Sequence, residues 1–205
     1  MNMTREYSKF LVSACYEDIP AHEIERFKIR LIDAIGDVAC GVHAPGMDEC
    51  VELFAGIGGA PEATILFHGA QLPADKAALV NSMMMRSFDY EPVGGEFADR
   101  TTGAAHLAGS SIPCMLAMGE LVHASGKDAI LACILGDDLA ARLQQGTGFA
   151  FDKGWDNTGT FNGLGCTALA AKMMGLDEDQ CVNALGIDIN TIGSTMDGVK
   201  DGVMA

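Results

Sequence analysis

The chain has 205 residues, with 28 acidic against 13 basic side chains and a formal net charge of −15. That balance argues against binding nucleic acid or an anionic membrane surface, because both need a basic face. Hydrophobic residues at 49% and charged residues at 20% exclude a disordered chain, and a chain of this length buries roughly 70% of its unfolded surface.

Met1 to Pro20 mixes charge and polarity, with Glu6, Glu17 and Asp18, and reads as neither a signal nor a transit peptide. Helical periodicity begins in Glu23 to Val42, where apolar residues recur at 24, 27, 31, 32, 35, 38 and 39. Glu25, Lys28, Asp33 and Asp37 are expected on its solvated face. Asp48 to Phe54 is a weaker helical candidate, and Ala63 to Phe67 a short strand ending at the His68-Gly69 turn. Pro73 opens a helix over Ala74 to Phe88, with Met83 to Met85 as its apolar centre.

Tyr90 to Ser110 breaks the pattern with Gly94, Gly95, Gly103 and Gly109, and a loop this long inside a compact domain is usually functional. Helices are expected again over Pro113 to His123 and Lys127 to Gln145. Gly146 to Gly159 reads as a second loop, carrying the only tryptophan, Trp155. Thr160 to Met174 and Asp177 to Asn190 read as the last two helices, the latter opened by a capping box of Asp177 and Gln180. Many glycines fall inside helices, among them Gly36, Gly136 and Gly165, which suits close helix–helix approach. The ending, Asp197 to Ala205, is loop-like and partly apolar, as expected of a chain that continues or is completed elsewhere.

The expected fold is therefore all-α in the main, one helical domain over 1–205, with at most one or two short strands near 62–67. The longest apolar runs, Ile112 to Leu121 and Ala129 to Leu135, are too short to span a membrane. Seven cysteines with no Cys-x-x-Cys pair are expected as buried free thiols in a reducing, cytoplasmic compartment. Asp137 and Asp138 are adjacent on a helix, point to different faces, and read as a solvated or capping pair.

Phosphate loops, dinucleotide-binding glycine motifs, zinc-protease and serine-hydrolase signatures are all absent, and the five histidines lack metal-ligand spacing. Two loops remain as candidates. The first gathers Arg86, Asp89, Glu91, Arg100 and His106. An arginine fork suits a carboxylate, and a histidine beside an acid moves protons near neutral pH. The second is Lys153 to Thr160, where Thr158 or Thr160 is expected to cap a helix whose N-terminus could receive an anion. Solvated loop charges and a packed tryptophan anchor are the plain alternatives.

The order of these segments resembles the MmgE/PrpD family from about Arg26 to Ala205. The matching segments are Leu31 to Gly36 with Gly41, Pro61 to Thr64, and Asn81 through Phe88-Asp89-Tyr90. His106 through Pro113, Gly154 to Thr160 and Ala184 to Ile187 follow in the same order. The resemblance implies a helical domain usually followed by a smaller α/β domain, which is expected to be absent from these 205 residues. It implies acid–base chemistry next to a carboxylate of a small di- or tricarboxylate, as a dehydratase, decarboxylase or epimerase, without metal or organic cofactor. By that likeness Asp89, His106 and Asp156 are the catalytic candidates; Arg86 and Arg100, as available cations, and Trp155 and Thr158 of the second loop are the substrate-binding ones. Asp156 stands where better-known members carry a second histidine, and Arg86 where many carry a histidine. An active-site lysine and histidine of the family fall beyond Ala205, and Lys200 precedes that position. A homodimer is expected, or a second chain supplying the missing part. The alternative function is a non-catalytic or partner-dependent helical subunit.

Overall fold

A computed structural model describes residues 2–93, 106–147 and 154–195, and the backbone alone of 96–97 and 100–101. Lys153, Lys200 and the ending Asp197 to Ala205 lie outside the described residues, as does the side chain of Arg100.

The helices are α1 (Met3–Ser13), α2 (Ala21–Gly41), α3 (Met47–Ile57), α4 (Ala74–Arg86), α5 (Ala108–Val122), α6 (Gly126–Thr147), α7 (Asn157–Met173) and α8 (Glu178–Asp188). The expected all-α class is what the chain adopts. A short 3-10 helix (Tyr16–Asp18) and two antiparallel ribbons of two-residue strands complete the described fold. β1 (Ala63–Thr64) pairs with β2 (Gln71–Leu72), and β3 (Glu96–Phe97) with β4 (Arg100–Thr101). The second ribbon lies inside the segment expected to be an open loop.

α4 and α5 pack on the first ribbon and α2 packs on both of them, burying Phe27, Val38, Ile65, Met84, Met85 and Ile112. α1, α6, α7 and α8 close a second cluster around Leu11, Leu131, Leu135, Leu164 and Leu185. Each such side chain removed from water contributes roughly 1.5–3 kcal/mol. α5 and α7 also pack on each other, which joins the two clusters. The expected close approach is made by α6 and α7. A Cβ on Gly136 would stand 2.4 Å from the Gly165 carbonyl oxygen, and one on Gly165 2.7 Å from that of Gly136.

Several expectations need correction. α1 was not expected, because its polar, charged sequence buries only Ser8 and Leu11. α5 begins five residues before Pro113, so that proline is interior. A proline there leaves the carbonyl four residues back without a helical donor. That carbonyl belongs to Gly109, and the Ser82 hydroxyl donates to it at 2.6 Å. Asp137 is not solvated: it is 8% exposed and ion-paired with Arg30 of α2, whereas Asp138 pairs with Arg142 at 2.7 Å. Asp37 is also buried rather than on the wet face, with Oδ2 lacking a hydrogen-bond partner. All seven cysteines are free, but Cys15 and Cys40 are exposed.

Candidate active site

α4 ends at Arg86, and the chain turns through Asp89, whose φ of +56° lies in the left-handed region. That conformation is uncommon outside glycine, and aspartate tolerates it better than most residues. The turn carries Glu91 into the interior, where its side chain is fully buried. Arg86 Nη1 donates to Asp89 Oδ1 at 2.9 Å and to Glu91 Oε1, so one guanidinium bridges both carboxylates. Gly109 in the first turn of α5 makes room for this bridge. A Cβ there would stand 2.8 Å from Arg86 Cδ and 3.0 Å from Glu91 Oε1.

His106 enters from the segment just before α5. Its Nδ1 lies 3.1 Å from Glu91 Oε1 and 3.6 Å from Asp89 Oδ1. The ring and the buried carboxylate are at ion-pair distance without hydrogen-bond alignment, and Glu91 Oε2 has no hydrogen-bond partner. A charge-assisted bond between such a carboxylate and Nδ1 would fix the orientation of the imidazole. The Asp89 carboxylate is 66% exposed and faces solvent, while His106 is 15% exposed. The site thus has a dry wall at Glu91 and an open mouth at Asp89.

One ligand atom each from Asp89, Glu91 and His106 lies within 4.8 Å of the others, a spacing that suits a metal ion. Arg86 Nη1 already stands between the two carboxylates and would have to leave.

The second candidate loop meets the first at the start of α7. Asp156 is the N-cap, a role expected of Thr158 or Thr160. Its carboxylate accepts from the backbone N–H of Thr158 at 3.0 Å and of Gly159 at 3.1 Å. That end of the helix is therefore already satisfied by the chain's own anion. The Thr158 hydroxyl accepts the His106 backbone N–H at 3.4 Å, so Thr158 touches the His106 segment. Trp155 is 41% exposed and forms a backbone bridge with Thr195.

Of the residues expected in the site, Arg86, Asp89 and His106 converge directly, and Thr158 reaches His106. Asp156 contributes through the helix cap, and Trp155 stands beside it. Of Arg100 only the backbone is described, in β4. Glu91 is the residue whose weight was missed. The Asp89-Tyr90-Glu91 spelling carried the signal, but nothing in it marks the second acid as the buried one.

The MmgE/PrpD N-terminal domain family matches residues 5–204. The chain is 21% identical to the cis-aconitate decarboxylase-like protein oryM of Aspergillus oryzae, over 99% of this chain and 43% of that protein. It is 25% identical to the cis-aconitate decarboxylase of Aspergillus terreus, over 90% of this chain and 38% of that one. Against the cis-aconitate decarboxylase of Homo sapiens the identity is 30%, over 62% of this chain and 26% of that one. The chain thus spans about two fifths or less of the length of these curated relatives. With residues 5–204 of its 205 matched by the family's N-terminal domain, the chain belongs to the MmgE/PrpD family.

Proposed function

We propose that this chain forms the proton-transferring helical part of an acid–base lyase, a decarboxylase or dehydratase, acting on a small di- or tricarboxylate such as cis-aconitate. Three lines support this reading: the family, relatives named cis-aconitate decarboxylase, and a histidine held between a buried and an exposed carboxylate. The placement of His106 Nδ1 3.1 Å from Glu91 Oε1 carries it.

In this reading Glu91 orients the ring through Nδ1, leaving Nε2 to exchange a proton with substrate. Loss of carbon dioxide, or removal of a proton next to a carboxylate, leaves an electron pair on carbon. His106 delivers or takes the proton there, and Asp89 at the open mouth shares that duty. Arg86 sets both acids rather than gripping the substrate, because its guanidinium is engaged by the Asp89 and Glu91 carboxylates. Asp156 acts by holding Thr158, and through it the His106 backbone.

A second reading follows from charge. Arg86 against Asp89 and Glu91 leaves a formal charge of −1 from these three side chains. A polycarboxylate would therefore need further cations, which a second polypeptide or residues such as Arg100 and Lys153 would provide.

The test is a panel of small unsaturated and hydroxylated di- and tricarboxylates with the purified chain, following carbon dioxide release and hydration products by NMR. Turnover of one member supports the reading. No turnover, with or without a partner polypeptide, overturns it.

A further inference from the structure

We infer that Asn162 is a positioning residue for His106, which α7 holds by its backbone while Glu91 holds its ring. This inference rests on the proposed role of His106 and deepens it.

Asn162 is 6% exposed and lies one helical turn beyond Thr158, so the two side chains share a face of α7. Together they grip both polar groups of one residue's backbone. Thr158 Oγ1 accepts the His106 N–H at 3.4 Å, and Asn162 Nδ2 donates to the His106 carbonyl at 2.8 Å. The amide orientation is fixed by chemistry, since a carbonyl oxygen can only accept. The second Nδ2 proton goes to Ser110 Oγ at 3.0 Å, in the first turn of α5. One side chain thus ties the His106 peptide and the start of α5 to α7.

The amide also leaves Oδ1 buried without a hydrogen-bond partner. A buried polar atom without a partner is unfavourable, so packing alone would favour an apolar side chain here. What Asn162 supplies that leucine cannot is the pair of donors. With the N–H and C=O of His106 both held, its Cα–Cβ direction is set, and from there the ring Nδ1 reaches Glu91 and Asp89. Displacements of about 1 Å in such groups cost on the order of a hundredfold in rate.

The test compares the full chain with Asn162→Asp, which keeps shape and loses the donors, and Asn162→Leu, which removes polarity. Ser110→Ala removes the other partner and leaves the His106 contact in place. Two readouts are taken: ring nitrogen resonances of His106 by long-range NMR correlation without substrate, and kcat and KM on the best carboxylate of the panel. The expected result is a changed His106 ring spectrum in both Asn162 variants and a kcat lower by about tenfold or more, with KM within about threefold. Ser110→Ala should leave the ring spectrum close to wild type. Unchanged His106 resonances in a folded Asn162 variant overturn the inference, even if its melting temperature falls. His106→Ala separates the two claims. Retained turnover there defeats the catalytic role of His106, whereas the ring spectra still decide whether Asn162 positions it.

Discussion

Glu91 places Oε1 3.1 Å from His106 Nδ1 with its own side chain fully buried, so a dry carboxylate backs the imidazole. An ionised acid is expensive to bury unless it is paired. Here Arg86 supplies the fixed partner and His106 the titratable one. Glu91→Gln keeps the shape and removes the charge. Turnover in that variant should fall at least about tenfold, as expected when a general acid–base group loses its orienting partner. Steady-state rates of the two proteins decide it, and equal rates would remove Glu91 from the site.

The Arg30–Asp137 pair joins α2 to α6 and is largely buried on both sides. Losing one partner strands the other charge, which costs about 3 kcal/mol or more. Arg30→Met should therefore shift the urea midpoint strongly downward. Adding Asp137→Leu should restore most of the loss, since no stranded charge remains. A double variant as weak as the single one would show that the pair acts by something other than charge compensation.

The α6–α7 contact is set by glycine. Gly136→Ala or Gly165→Ala forces a methyl to within 2.4 Å or 2.7 Å of the facing carbonyl oxygen. Overpacking of this kind costs about 1–3 kcal/mol, and in a chain of this size each kcal/mol lowers Tm by roughly 2–4 °C. Thermal melts by circular dichroism should show the drop in both variants. Gly36→Ala is the control, since open space surrounds its added Cβ.

Asp37 sits on α2 with its carboxyl pushed above the usual range, first by burial and then by the charges of Asp33 and Glu91. An acid with a raised folded pKa holds its proton better folded than unfolded. Its favourable contribution is complete below the ordinary carboxyl range and is lost as pH rises through the raised value. Asp37→Asn should hence raise Tm at about pH 7.5, with the difference closing toward about pH 4, where the unfolded-state carboxyl titrates. A lower Tm for the variant at neutral pH would contradict this sign.

Much of the helical frame was legible because periodicity and caps agree. α2, α4, α6 and α8 lie close to where the apolar stripes place them, and the Asp177–Gln180 capping box forms as read. What escaped depends on partners distant in sequence. α1 is stabilised by α6 and α7, more than a hundred residues further along the chain. Tyr7 donates to the Leu135 carbonyl at 2.8 Å, and Lys172 donates to the carbonyls of Leu11, Val12 and Ala14. The true start of α5 depends on Ser82, 27 residues earlier. In the site, Arg86, Asp89 and His106 were visible by residue type. The burial of Glu91 and the grip of Asn162 were not, because no local pattern announces which acid is enclosed or which helix face a loop will touch.

In the proposed function His106 exchanges a proton with carbon next to a carboxylate. NMR in deuterated buffer, with cis-aconitate and related carboxylates, measures this directly on the purified chain and on His106→Ala. Deuterium should enter the substrate with the wild-type chain and slow by about a hundredfold or more in the variant. Equal exchange by both proteins, or none by a folded wild-type chain, would contradict it.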